Sequence, residues 1–190
     1  PGFSNPDLKP EHSKSYELQW RSQLTPSSRL ETSVYRTDIR DAIIFDFDGV
    51  LHPEGEDHIL NGGVDFCFLP QLAALLREFP HVKIVISSSW REQLLYKTLL
   101  KPFSSDIRDR ILGATPHSGF GLPPPYGKRE GEILAWLQIH DAVNQPWVAL
   151  DDAYWQFDHC KDHLVACSSL IGFDDQASAE LRTHFEGALR

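Results

Sequence analysis

The stretch IIFDFDGVLHP, Ile43 to Pro53, opens with a β-branched and aromatic run and stops at two acids one residue apart, with a glycine behind them. A short apolar run bounded by turn residues reads as a strand buried on both faces, the composition typical of a covered parallel sheet. Asp46 and Asp48 therefore stand where a buried strand ends, and Gly49 supplies the bend that follows. Four further runs repeat the strand pattern: Val82 to Ile86, Ile111 to Ala114, Trp147 to Leu150 and Leu164 to Cys167. Helical periods separate them. Leu69, Leu72, Leu76 and Phe79 share one face, Arg91 to Leu100 is expected to be helical, Ile133, Leu134 and Leu137 stripe a helix before the fourth strand, and Ala177, Leu181 and Phe185 stripe a closing helix. Strands alternating with helices predict an α/β fold, a three-layer Rossmann-like parallel sheet with helices on both faces. In such sheets ligands bind beyond the carboxyl ends of the strands, where this chain puts its acids.

The 190 residues, 41% hydrophobic and 11% aromatic, suit one domain with a substantial core. Residues 1–40 read as an N-terminal extension, polar and punctuated by Pro1, Pro6, Pro10 and Pro26, with a helical turn or two expected around Tyr16 to Leu24. Residues 41–190 form the domain proper. The net charge of -9, with no block of lysines or arginines, predicts no extended nucleic-acid binding, although a few local cations suffice for one phosphorylated end. No apolar run approaches the ~18 residues of a spanning helix, so no membrane partner is expected. Cys67, Cys160 and Cys167 match no zinc spacing and are expected to be reduced thiols of an intracellular protein, cytoplasmic or nuclear. With no methionine in the chain, Pro1 is expected to mark a boundary rather than a translation start, which leaves a removed targeting segment open.

The strand ends collect one kind of chemistry. The first carries Asp46 and Asp48, the second Ser87, Ser88 and Ser89, the fourth Asp151 and Asp152, and Lys128 and Arg129 open the helix leading into the fourth. A solvated turn, a helix cap or a surface ion pair would account for each taken singly. Together they supply what phosphoryl transfer needs. Crowded carboxylates repel one another unless a cation neutralises them, and a hard divalent ion with oxygen ligands, Mg2+, fits that demand. A carboxylate can attack phosphorus, a hydroxyl can hold a phosphoryl oxygen, and a cation can balance the developing charge.

These residues in this order resemble the haloacid dehalogenase (HAD) superfamily, across roughly Asp41 to Phe173. FDFDGVL looks like the first motif, VISSS the second, Lys128 the third and ALDD the fourth. FDFDGVLHP, SSSWR, REGEILAWL and WVALDD together resemble the HAD domain of Swiss Army Knife RNA-repair proteins. The resemblance implies that Asp46 is the nucleophile, that Asp48 protonates the leaving group and later activates water, and that an acid at 48 marks a phosphatase rather than a dehalogenase. It also implies Ser87 as the phosphate-binding hydroxyl, with Ser88 and Ser89 as near alternatives, and Lys128 as the third-motif cation, with Arg129 able to serve. Asp46, Asp48 (through its carbonyl), Asp151 and Asp152 would hold the metal, with Asp152 favoured over Asp151 as direct ligand, and Gly49 would face the substrate.

Leu51 to Phe68 and Leu100 to Lys128 are too short for the cap domains of larger relatives, so a capless or minimally capped, open site is expected, one that the N-terminal 40 residues could narrow by draping over it. The expected substrate is a phosphorylated group on a nucleotide, a nucleic-acid end or a phosphoprotein; the competing reading is a non-catalytic HAD-like binding module. Trp90, Trp136, Trp147 and Trp155 are expected to pack, with Tyr154 and Trp155 near enough to the fourth motif to line the site's rim; His52 and His117 lie in loops that could reach the pocket but are expected to be exposed, and His159 and His163 are expected not to hold a metal.

Overall fold

A computed structural model describes residues 15–25, 28–37, 41–55, 63–117 and 126–188. The chain divides into two compact units, residues 1–38 and 39–190. In the first, β1 (Ser15–Thr25) and β2 (Ser28–Thr37) pair antiparallel, setting Leu18 opposite Val34 and Trp20 opposite Thr32. The helical turn expected over Tyr16 to Leu24 is thus a strand. Apolar residues recur there every second position, at Tyr16, Leu18 and Trp20, which is a strand period rather than a helical one.

The second unit is built on a five-stranded, all-parallel sheet of β3 (Ala42–Phe45), β4 (Lys83–Ile86), β5 (Ile111–Ala114), β6 (Trp147–Asp151) and β7 (Leu164–Ala166), in the order β5-β4-β3-β6-β7. Its helices are α1 (Leu69–Glu78), α2 (Tyr96–Leu99), α3 (Ser105–Arg108), α4 (Lys128–Ile139) and α5 (Asp175–Ala188). The period of two in the strands sorts the core into layers. Ile43, Phe45, Ile84, Ile86 and Leu150 meet Leu72 and Leu76 of α1 and Leu181 and Phe185 of α5 on one face. Ala42, Ile44, Val85 and Ala149 meet Ile133, Trp136 and Leu137 of α4 on the other. This is the three-layer α/β fold that the alternation predicts.

The chain leaves β3 on one side to form β4 and β5, then returns past it to form β6. Strand order therefore reverses at β3 and β6, and a crevice opens there at the carboxyl edge, the usual ligand position of such sheets. Among the described residues, neither the connection after β3 nor the one after β5 carries an added folded domain. No helix of the described residues is long and apolar enough to cross a membrane. The three cysteines are unpaired thiols.

One predicted helix is broken. In place of a helix over Arg91 to Leu100, a 3-10 turn (Ser89–Glu92) is followed by extended Leu95 and the short α2. Ser88 caps the turn by accepting from the Trp90 N–H at 3.3 Å. The Arg91 side chain then turns inward, donating to the carbonyls of Ser87 (2.9 Å), Ser88 (2.7 Å) and Thr115 (3.1 Å) and to Glu132 (2.5 Å). Those bonds hold the segment against β4, which a continuing helix would have carried away.

Candidate active site

The acid loop is fixed by the residue between its acids. Phe47 is fully buried and packs edge-on against Phe66 (5.2 Å) and Trp90 (5.8 Å); burying such a ring contributes about 1.5–3 kcal/mol. Asp46 and Asp48 thus flank an anchored side chain. Gly49 then bends the chain with φ +66°, and a Cβ there would run into the carboxyl group of Asp152. Gly49 serves both the turn and the close approach of the first and fourth motif loops.

Asp46, Asp151 and Asp152 converge. All three are buried, and each offers a carboxylate oxygen within 4.8 Å of the others. Ladder bonds at the strand ends position them: Asp46 N–H donates to Leu150 O (3.1 Å) and Cys167 N–H to Asp151 O (3.0 Å). Ser87 and Ser88 are buried beside them, and Ser89 is exposed on the turn.

The cation that reaches these acids is Arg129. Its Nη2 donates to Asp46 Oδ2, its Nη1 donates to the Ser87 carbonyl, and its Nε lies 3.0 Å from Asp151 Oδ2. Lys128, the residue expected to fill this place, is exposed, and among the described residues no ion pair joins it to the acids. Neighbouring helical residues point about 100° apart. Packing of Ile133, Trp136 and Leu137 against the sheet turns Arg129 inward and leaves Lys128 on the rim.

One arginine does not balance three buried acids. Burial raises the Asp46 carboxyl above its ordinary value despite Arg129, with the Asp48 charge adding to the rise. Burial first, then the charge of Asp46, pushes Asp151 up to about 7, and the same two causes push Asp152 up to about 6. Burial alone would lower Arg129, but Asp46, Asp151, Glu132 and Asp152 outweigh it and hold the guanidinium above its ordinary value. Asp151 Oδ2 and Arg129 Nε lie close without the alignment of a hydrogen bond, so both buried atoms lack one. An all-oxygen donor set, surplus negative charge and an unsatisfied buried carboxylate oxygen fit a hard divalent cation.

Asp48 stands apart, at 32% side-chain exposure. Its carboxylate accepts from the Trp90 indole Nε1–H (3.0 Å to Oδ1, 2.9 Å to Oδ2) and lies 3.1 Å from His52 Nε2. His52, expected to be exposed, is buried at 3%, because Phe66 N–H donates to its Nδ1 at 3.3 Å and the rings of Phe66 and Trp90 enclose it. His117 is exposed, as expected.

Other signals were hidden by their charge. Within REGEILAWL, Glu130 accepts from the N–H groups of Asp158 (3.0 Å) and His159 (2.9 Å), and Glu132 accepts from Arg91. The apolar stripe of α4 was readable, but these buried ions were not, since charge ordinarily signals exposure. Trp136 and Trp147 pack as expected, whereas Trp155 stands 63% exposed with Tyr154 on the turn after Asp152. That turn abuts the start of α4, where Gln156 Oε1 accepts from Arg129 N–H at 3.2 Å. His163 stacks on Trp147 at 4.3 Å and His159 lies 3.5 Å from Glu130, so their spacing serves packing.

No curated protein and no solved structure gave a significant match. A model of the TonB dependent receptor-like β-barrel matches residues 1–59, less than a third of the chain, a stretch that contains the β1–β2 pair. The model of the HAD domain in Swiss Army Knife RNA repair proteins matches residues 42–178, from the start of β3 into α5. With the parallel sheet, the DxD loop and the acid pair after β6 all inside that match, the chain belongs to the HAD domains of Swiss Army Knife RNA repair proteins.

Proposed function

We propose that residues 41–190 form a magnesium-dependent phosphomonoesterase that works through an aspartyl-phosphate on Asp46. The observation that carries this reading is the convergence of Asp46, Asp151 and Asp152 on one oxygen-lined point at the sheet's switch, with Arg129 against the same acids. Mg2+ held by these carboxylates, with the Asp48 carbonyl completing the protein's share, would offset their repulsion and screen the phosphate.

In the first step an Asp46 oxygen attacks phosphorus, the bond from phosphorus to the ester oxygen breaks, and Asp48 delivers a proton to that leaving oxygen. In the second, water attacks phosphorus, Asp48 takes its proton, and the bond to Asp46 breaks to release phosphate. Ser87 and Ser88 line the phosphate end of the crevice, with exposed Ser89 beside them. Arg129 takes the charge-balancing role, which its fork suits by contacting two groups at once. Lys128, on the rim, contacts the substrate beyond the phosphate.

The RNA-repair family favours a nucleotide or polynucleotide end as the substrate. A site without an added cap domain would admit an end of that size, and the acidic chain limits contact to a short terminal stretch. A phosphoprotein would undergo the same chemistry. Phosphate release from 5′- and 3′-phosphorylated oligonucleotides, nucleotides and phosphopeptides, with magnesium and with chelator, tests the reading. Magnesium-dependent release abolished by Asp46→Asn supports it. Silence across all of them would leave a binding module.

A further inference from the structure

We propose that Trp90 and His52 are positioning residues that fix the Asp48 carboxylate so that its Oδ2 carries the proton of both catalytic steps. This rests on the phosphatase reading above. A carboxylate offers about four lone-pair positions. The Trp90 indole N–H is shared between Oδ1 and Oδ2, at 3.0 and 2.9 Å. His52 Nε2 lies 3.1 Å from Oδ1. Because the His52 Nδ1 accepts from Phe66 N–H, the ring proton of the neutral imidazole sits on Nε2, aimed at Asp48. Oδ1 is thereby occupied on both sides, and Oδ2 keeps a position open for the leaving oxygen and later for water.

The two donors are themselves held. Trp90 lies in the turn capped by Ser88, next to the buried Arg91, and its ring packs on Phe47 (5.8 Å) and Phe66 (5.5 Å). His52 packs on Phe66 (5.6 Å) and Trp90 (5.8 Å). The acid group is therefore oriented by an aromatic wall built from the first and second motif loops, and the tryptophan of SSSWR gains a chemical task.

The test uses the full chain with magnesium and a series of phosphate monoesters from 4-nitrophenyl to phenyl to alkyl. A good leaving group departs without a proton, whereas an alkoxide needs one, so only poor leaving groups report on Asp48 in kcat/KM. Trp90→Phe keeps the ring and removes the donor. We expect kcat/KM to fall at least about tenfold for the alkyl ester and to stay within about twofold for 4-nitrophenyl phosphate. His52→Gln, which retains an N–H, should fall less than His52→Phe. Equal losses along the series, or none, would overturn the positioning role.

The contact itself is read without turnover. Of the five indole signals in the proton–nitrogen spectrum of the metal-free chain, the one missing in Trp90→Phe should move upfield in Asp48→Ala while the other four hold. An unmoved signal would also overturn the proposal. No phosphate release from any ester by the unaltered chain would instead overturn the phosphatase reading, and the positioning role with it, even where the indole signal moves.

Discussion

Two buried arginines, 38 positions apart in sequence, touch the same carbonyl oxygen and do opposite things. Arg91 and Arg129 both donate to Ser87 O. Behind that carbonyl, every nitrogen of Arg91 has an acceptor among Ser87, Ser88, Thr115, Pro116 and Glu132. In front of it, Arg129 faces three aspartates, its Nε has no hydrogen bond, and neither has the nearest oxygen of Asp151. A satisfied buried ion is scaffold, since its desolvation is already met by the protein. A buried cation outnumbered by acids with unmet valence marks a place that a ligand completes. The region around Arg91 holds the second-motif loop rigid so that the region around Arg129 can remain unsatisfied.

The sharpest way to separate the regions is to remove one charge from each. Asp46→Asn should lower turnover by at least about a thousandfold, as loss of a nucleophile does. Its melting temperature in chelator should hold or rise, because a buried acid is gone; a fold lost together with activity would break the distinction. Arg91→Ala should instead cost about 3–5 kcal/mol in denaturant unfolding, since it strands Glu132 in the core. Converting the pair to apolar residues, Arg91→Met with Glu132→Leu, should recover most of that loss. A mild Arg91→Ala would mean that this ion pair is not structural.

Arg129→Ala should lower kcat about a hundredfold, the scale of removing one preorganised donor, with a smaller stability change than Arg91→Ala. Lys128→Ala, on the exposed rim, should change kcat least of all, within about twofold. The opposite order would restore Lys128 to the third-motif role.

Between those two effects lies the dependence on pH and metal. In the metal-free fold burial and the charge of Asp46 push Asp151 up to about 7 and Asp152 up to about 6, against 3.8 ordinarily. Between those values the folded state binds protons that the unfolded chain has released. Stability in chelator is therefore full at low pH and falls as pH rises through that window. Taking a net of roughly 2 kcal/mol, at about 2–4 °C per kcal/mol for this chain length, Tm in chelator should drop about 5 °C from pH 5 to pH 7.5. Magnesium binds the ionised carboxylates, so its stabilising shift should grow over the same range. A flat profile, or a magnesium shift larger at pH 5, would remove the charge surplus from the Arg129 region.

Much of this was legible. Short apolar runs marked all five strands of the sheet, and the spacing of Leu69, Leu72 and Leu76 marked the buried face of α1. The acids at the ends of β3 and β6 were identified as a group because alternating elements imply a parallel sheet, which brings strand ends together. The β1–β2 pair corrects one element of the reading: a helical turn was expected around Tyr16 to Leu24, while alternation over Tyr16 to Trp20 was already signalling a strand.

The sequence alone determined the order of the five sheet strands and of the helices α1, α4 and α5, the placing of acids at strand ends, and the family, because each rests on local period or contiguous words. The tertiary structure decided that Arg129 rather than Lys128 meets the acids, that His52 and Trp90 enclose Asp48, and that Arg91 and Glu132 are buried as a pair. Those outcomes depend on the rotation of α4 about its axis and on loops meeting across the crevice. Both are set by packing between segments far apart in the chain, where the cost of burying a charge is met only by partners that no local pattern names.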